Sequence, residues 1–303
     1  MRTRVYIDGY NLYYGCLKGT AFKWLDLLAL FERHVLPSVT VSGQDQALTS
    51  RLEPQAIKFF TAPILEQAAK ASDSLRCQER YHAALSKHQP GRIDIINGYY
   101  SLTQARPKAI DPVYPKKWPR DCTVEVPVWK LEEKQSDVNL ALHAFKDALI
   151  EGIEHVVIVT NDTDIAPALE MIRAHTRAIV GLVVPTRDHQ RPPNRDLTRH
   201  AHWVRSHITP SELQAAQLPR VIPAARNPVL KPDSWYARPD LLAQALALAC
   251  IEKGSRSKAF QWLETPNPHW SGSKPIELLE SDTGEQVIAF MQEWDSRKPA
   301  PSS

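Results

Sequence analysis

The sequence predicts an α/β fold, a doubly wound and mostly parallel sheet followed by a small α-helical module. Three observations carry that expectation. Short runs of β-branched and aromatic residues alternate with stretches whose apolar residues recur at helical spacing. One run, His155-Val-Val-Ile-Val-Thr160, is apolar almost throughout, as a central strand covered on both faces must be. Prolines then recur from 209 to 239 and separate this alternation from an Ala/Leu-rich helical stretch.

Taken in order, Arg4-Val-Tyr-Ile7 predicts a first strand ending at Asp8-Gly9, and Leu25, Leu28, Phe31 and Val35 predict a helix after it. Residues 37–54 are polar and turn-rich, and Ala56-Ile-Lys-Phe-Phe60 reads as a second strand. Leu75, Tyr81, Ala84 and Leu85 give 72–89 a helical pattern, and Arg92-Ile-Asp-Ile-Ile96 predicts a third strand. Residues 103–123, rich in proline and lysine, read as a long excursion before a strand over 124–129. A helix entered at Asp137 places Val138, Leu142, Phe145 and Leu149 along one apolar face. After the run at 155–160, Pro167 suits the first turn of the next helix, and Ile179-Val-Gly-Leu-Val-Val184 supplies another buried strand. The resulting division is a catalytic domain at 1–208, a proline-rich linker at 209–239 and a helical interaction module at 240–296.

Composition narrows the classes. With 303 residues, 43% hydrophobic and 23% charged, the chain reads as an ordinary globular protein, and its net charge of +3 does not announce a nucleic-acid binder. No apolar run is long enough for a leader or a membrane span, so a cytoplasmic protein is expected. Four cysteines without a CxxC pair fit reduced thiols. No GxGxxG, P-loop or GxSxG motif is present, which leaves dinucleotide binding, nucleotide hydrolysis and serine hydrolysis without support.

Chemistry concentrates in four acids. Asp8 ends the first strand, Asp162 and Asp164 follow 155–160, and Asp137 opens a helix, so all four can face the crevice outside the carboxyl ends of the strands. Carboxylates gathered in this way repel one another, a cost that a hard divalent cation, Mg²⁺ or Mn²⁺, relieves. Asn11, one helical turn beyond Asp8, is placed to orient a ligand or a water. The competing reading is that each aspartate simply caps a helix.

Tyr6-Ile-Asp-Gly-Tyr-Asn11, Glu133-Lys-Gln-Ser-Asp-Val-Asn139 and Val159-Thr-Asn-Asp-Thr-Asp-Ile165 closely resemble the three motifs of NYN domains, a branch of the PIN-like nucleases. The resemblance implies a Mg²⁺- or Mn²⁺-dependent endoribonuclease, with Asp8, Asp137, Asp162 and Asp164 at the family's acidic positions, Asn11 as their polar partner and Lys134 at its basic position. Metal-activated water would then attack a phosphodiester in line. Single-stranded RNA is the expected partner, touched by Lys134, by Arg187, Arg191 and Arg195, and by Lys116, Lys117 and Trp118. Some proteins of similar NYN-like sequence are described as the 6-hydroxy-3-succinoylpyridine hydroxylase of bacterial nicotine degradation, which implies an NADH-dependent monooxygenase as the alternative. A regulatory RNA-binding or scaffold protein is a third class. Residues 258–294 resemble the toxin-binding domain of Xre/MbcA/ParS antitoxins, which implies that 240–296 binds a protein partner or a second copy.

Overall fold

The alternation of apolar runs folds as a layered α/β unit. The computed structural model describes residues 1–40, 49–187 and 191–296, so residues 41–48 of the expected turn-rich stretch lie outside it. In chain order the elements are β1 (Arg2–Asp8), α1 (Gly9–Leu12), α2 (Leu27–Ala29), β2 (Arg51–Thr61), α3 (Ser74–His88), β3 (Ile93–Asn97), β4 (Tyr99–Ala105) and β5 (Val128–Lys134). They continue as α4 (Ser136–Leu149), β6 (His155–Val159), α5 (Ala166–His175), β7 (Ile179–Val183), α6 (Arg195–Thr198), β8 (Trp203–Arg205) and α7 (Pro210–Ala215).

Six strands form the central sheet in the order β3-β2-β1-β6-β7-β8, every neighbouring pair parallel. The chain winds outward from β1 through β2 to β3, then returns and winds the other way from β6. The strand order therefore reverses between β1 and β6, and a crevice opens there at the carboxyl ends. Burial explains which strands are central: all of β6, and β1 beyond its first residue, are buried. On one face, Leu140, Ala144 and Ala148 of α4 and Leu169 and Ile172 of α5 pack on Tyr6, Val156, Ile158, Val180 and Leu182.

Two expectations are corrected. The strand expected at 124–129 runs instead from Val128 to Lys134, and it pairs antiparallel with β4, Tyr99 opposite Lys134 and Ala105 opposite Val128. Its charged residues Lys130, Glu132, Glu133 and Lys134 suit a ribbon with solvated faces and could not line the inside of a covered parallel sheet. The buried face of α4 is also not the expected stripe. Leu140, Ala144, Asp147 and Ala148 face inward, while Val138, Leu142 and Leu149 are half or more exposed.

By contacts, the chain divides into two compact units, Met1–Lys18 with Leu25–Val229, and Gly19–Trp24 with the chain from Leu230 onward. The second unit holds α8 (Pro239–Lys253), α9 (Arg256–Leu263), α10 (Pro275–Leu279) and α11 (Gly284–Ser296) around Leu241, Leu246, Leu263, Ile276, Val287 and Met291. Among the described residues, no helix is long and apolar enough to cross a membrane.

Candidate active site

The turn after β1 sets the first side chain. Asp8 is 4% exposed and its carboxylate accepts three hydrogen bonds: from the Asn11 backbone N–H at 2.9 Å, from Asn11 Nδ2 at 2.6 Å and from Thr160 Oγ1 at 2.8 Å. Burial nevertheless pushes this carboxyl up from its ordinary value, against the pull of those donors. Thr160 in turn accepts from the Asp162 backbone N–H at 3.1 Å, and Asp162 Oδ1 accepts from the Asp164 N–H at 3.0 Å. The ends of β1 and β6, neighbours in the sheet, are thereby tied together through Thr160.

Asp137 enters from the first turn of α4. Burial, and then the charges of Asp8, Asp162, Glu133 and Asp164, push its carboxyl up to about 7. Tertiary structure thus brings together all four aspartates expected from the sequence, and Asn11 holds the most buried of them.

Of the residues expected to touch RNA, Lys134 lines a cavity beside the aspartates. Lys134 is the last residue of β5 and lines this cavity with Asp137 and Asp164. Lys116, Lys117 and Trp118 are exposed in the excursion between β4 and β5, Lys117 lying 3.9 Å from Asp111. Arg187 follows β7, Arg191 is exposed and Arg195 opens α6. None of these six borders that cavity.

Sequence reasoning missed Glu133 and the tyrosines beside it. Glu133 is raised by burial and by the charge of Asp8, and its Oε1 is buried with no hydrogen-bond donor. Tyr100 stands opposite Glu133 in the ribbon, and burial together with Glu133 pushes its phenol up. Tyr10 and Tyr14, exposed with rings 4.4 Å apart, lie on the same side, since Glu133 and Asp8 both raise Tyr10. The available signal was that Glu133 stands four residues before Asp137. Reading it required knowing that the chain turns from strand to helix between them.

This donor set does not suit the expected Mg²⁺ or Mn²⁺. Asp8 directs both oxygens at donors of its own chain and Asp162 directs one at a backbone N–H, the capping use of aspartate. Among the described residues, no group of three or more His, Cys, Asp or Glu side chains is placed to hold a metal ion.

Comparison with known proteins corrects the reaction as well. The chain is 54% identical over 298 residues to 6-hydroxy-3-succinoylpyridine 3-monooxygenase HspA of Pseudomonas putida, a match spanning 97% of this chain and 95% of the relative. That relative is named as a monooxygenase, which overturns the expected nuclease, endoribonuclease and hydrolase and, with the donor geometry, the Mg²⁺ or Mn²⁺ cofactor. No family model matches the chain, so the NYN and PIN-like resemblance gains no support from one. A solved protein of unknown function from Vibrio parahaemolyticus aligns with 68% of this chain and 92% of its own at 14% identity and a TM-score of 0.36, too low to carry an argument.

Proposed function

The chain belongs to the family of 6-hydroxy-3-succinoylpyridine 3-monooxygenase HspA, and from that premise we propose that it is a monooxygenase that delivers one oxygen atom to the ring of a hydroxypyridine. The near-full-length match to the Pseudomonas protein is the observation that carries this reading.

Substrate chemistry assigns work to the acidic edge. Position 3, the carbon named in the relative's activity, lies para to the 6-hydroxyl and carries the acyl side chain, so a C3–O bond forms there as the C3–acyl bond breaks, the acyl group leaving as a carboxylic acid when two electrons are supplied in all or as an aldehyde when four are. Removing the proton from that hydroxyl pushes electron density onto position 3 and readies it for electrophilic oxygen. A proton acceptor works best when its pKa lies near the working pH. Asp137, held near 7 by burial and its carboxylate neighbours, meets that condition and is proposed as the acceptor. Asp8, Asp162 and Asp164 are proposed as the charges that keep it there, and Asn11 as the residue that positions Asp8.

A monooxygenase also needs two electrons to reduce the second oxygen atom to water, ordinarily from a reduced nicotinamide or flavin. The crevice between β1 and β6 does not fit the phosphates of such a cofactor. In dinucleotide-binding sheets the pyrophosphate rests on free N–H groups at a helix N-terminus. Here Asp8 already caps that terminus after β1, Asp162 caps the turn after β6, and further carboxylates surround both. Gly9 opens no cradle either, because a Cβ there would stand 2.6 Å from the Phe60 carbonyl oxygen.

The NYN-like motifs are then best read as kinship of scaffold and acidic edge, with a different reaction. The test is oxygen uptake by the purified protein on 6-hydroxy-3-succinoylpyridine with NADH, with and without added flavin, beside Asp137→Asn. Uptake that depends on the hydroxypyridine and falls in the variant supports the reading. A folded wild-type protein that consumes neither oxygen nor substrate overturns it.

A further inference from the structure

One apolar ridge is left over by the fold. On α4, Val138 and Leu142 stand one turn apart and are 59% and 61% exposed, although the opposite face of the helix is packed on the sheet. They do not face open solvent uniformly. With Ala141 they line a cavity of about 370 Å³ whose other walls include Asp137, Asp164 and Lys134. That volume lies at the lower end of the roughly 300–1,000 Å³ typical of small-molecule sites. It suits one substituted aromatic ring.

Charge supplies the second argument. A substrate that carries a carboxylate must enter a crevice already crowded by Asp8, Glu133, Asp137, Asp162 and Asp164, and needs a compensating cation. Among the described residues lining the cavity, Lys134 is the only Lys or Arg. Its contact with Glu132 is 3.4 Å long between an exposed and a partly exposed side chain, the kind of ion pair that is worth little and easily exchanged.

Backbone geometry supplies the third. Between Lys134 and Asp137 the chain passes through Gln135 with φ 75°, a left-handed conformation that a side-chain-bearing residue adopts at a cost. Such strain persists where the surrounding structure requires it, and it often marks a functional turn. Here the turn lets the last residue of β5 and the first turn of α4 border one cavity.

We propose that this cavity is the substrate subsite, in which Val138 and Leu142 cover the ring face and Lys134 binds a carboxylate on the substrate's side chain, so that the enzyme selects acidic hydroxypyridines over neutral ones. The proposal rests on the monooxygenase reading. Lys134 acts here as a binding residue and takes no proton in the reaction.

Wild type, Lys134→Gln, Lys134→Arg and Leu142→Asp are compared on 6-hydroxy-3-succinoylpyridine and on its side-chain amide, which keeps the shape and removes the charge. Steady-state kinetics and calorimetric binding are both measured. Lys134→Gln is expected to raise KM and Kd for the acid about tenfold, as loss of one charge-assisted contact does. The amide should bind wild type and Lys134→Gln within a factor of two, and Lys134→Arg should restore preference for the acid. Leu142→Asp should weaken both compounds. An unchanged acid-to-amide ratio in Lys134→Gln overturns the proposal even if turnover is normal. Absence of turnover in folded wild type overturns the monooxygenase reading instead, and the binding ratios still decide whether Lys134 reads the carboxylate.

Discussion

Asn11 grips Asp8 twice, through its backbone N–H and through its side-chain amide, and the two bonds reach different carboxylate oxygens at 2.9 and 2.6 Å. Asp8 thus caps the first helix through the Asn11 N–H, and the Asn11 amide fixes the direction of this most buried acid at the sheet edge. Asn11→Ala removes the side-chain bond to a charged group, and the expected loss is about 1–2 kcal/mol in urea unfolding. Asn11→Asp should lose more, because a second carboxylate would meet Asp8 where a donor now stands. Both variants should lose hydroxypyridine turnover by a larger factor than other variants of similar stability.

Asp137 sets the expected pH dependence. Its carboxyl, raised to about 7, accepts a proton only when ionised. The rate at low substrate should therefore rise about tenfold per pH unit below 7 and level off above it. Asp137→Asn should remove that limb along with most of the activity.

Stability should move the opposite way. The folded protein holds the Asp137 proton more tightly than the unfolded chain does, so the group's contribution is complete below about pH 4 and is lost as pH rises through 7. Asp137→Asn should match wild type in melting temperature at pH 4 and exceed it at pH 8, measured by calorimetry.

Gln135 offers a test of the strand-to-helix turn. Glycine accepts φ 75° without steric cost, so Gln135→Gly should raise stability by about 0.5–1 kcal/mol. Gln135→Pro, locked near −65°, should abolish both the turn and substrate binding. Thermal unfolding and calorimetric binding report the two effects.

Toward the other end of α4 from Asp137, Asp147 is fully buried and accepts from Tyr6 Oη at 2.8 Å, Arg4 Nη1 at 2.7 Å and Lys58 Nζ at 2.6 Å. Asp147→Ala would leave two buried cations short of their counter-charge, and an expected cost of about 3–5 kcal/mol should appear in chemical denaturation.

Much of this was legible in the chain itself. Hydrophobic runs and periods are local, so the cores of the parallel strands at 2–8, 51–61, 155–159 and 179–183 and the helices at 74–88 and 136–149 follow from neighbouring residues, although 51–54, the start of the second strand, reads in the sequence as part of a polar, turn-rich stretch. Parallel winding then requires Asp8 and Asp162 to leave the sheet at the same edge. The chemistry at that edge was not legible, because clustered acids serve as metal ligands, helix caps or proton acceptors according to where their oxygens point.

What the sequence alone determined was the α/β order, the edge at which the aspartates gather and the residues that share each helical face. Tertiary structure decided which of those faces is covered. The 3.6-residue period put Val138 and Leu142 on one stripe and Asp147 on another, but burial went to the stripe with Asp147, whose partner Tyr6 lies 141 residues away. It also decided that β5 pairs with β4 instead of entering the sheet, which carried Glu133 and Lys134 to the rim of the site. Periodicity is set by adjacent residues, whereas burial and pairing are set by distant ones, and the candidate site is built where the two meet.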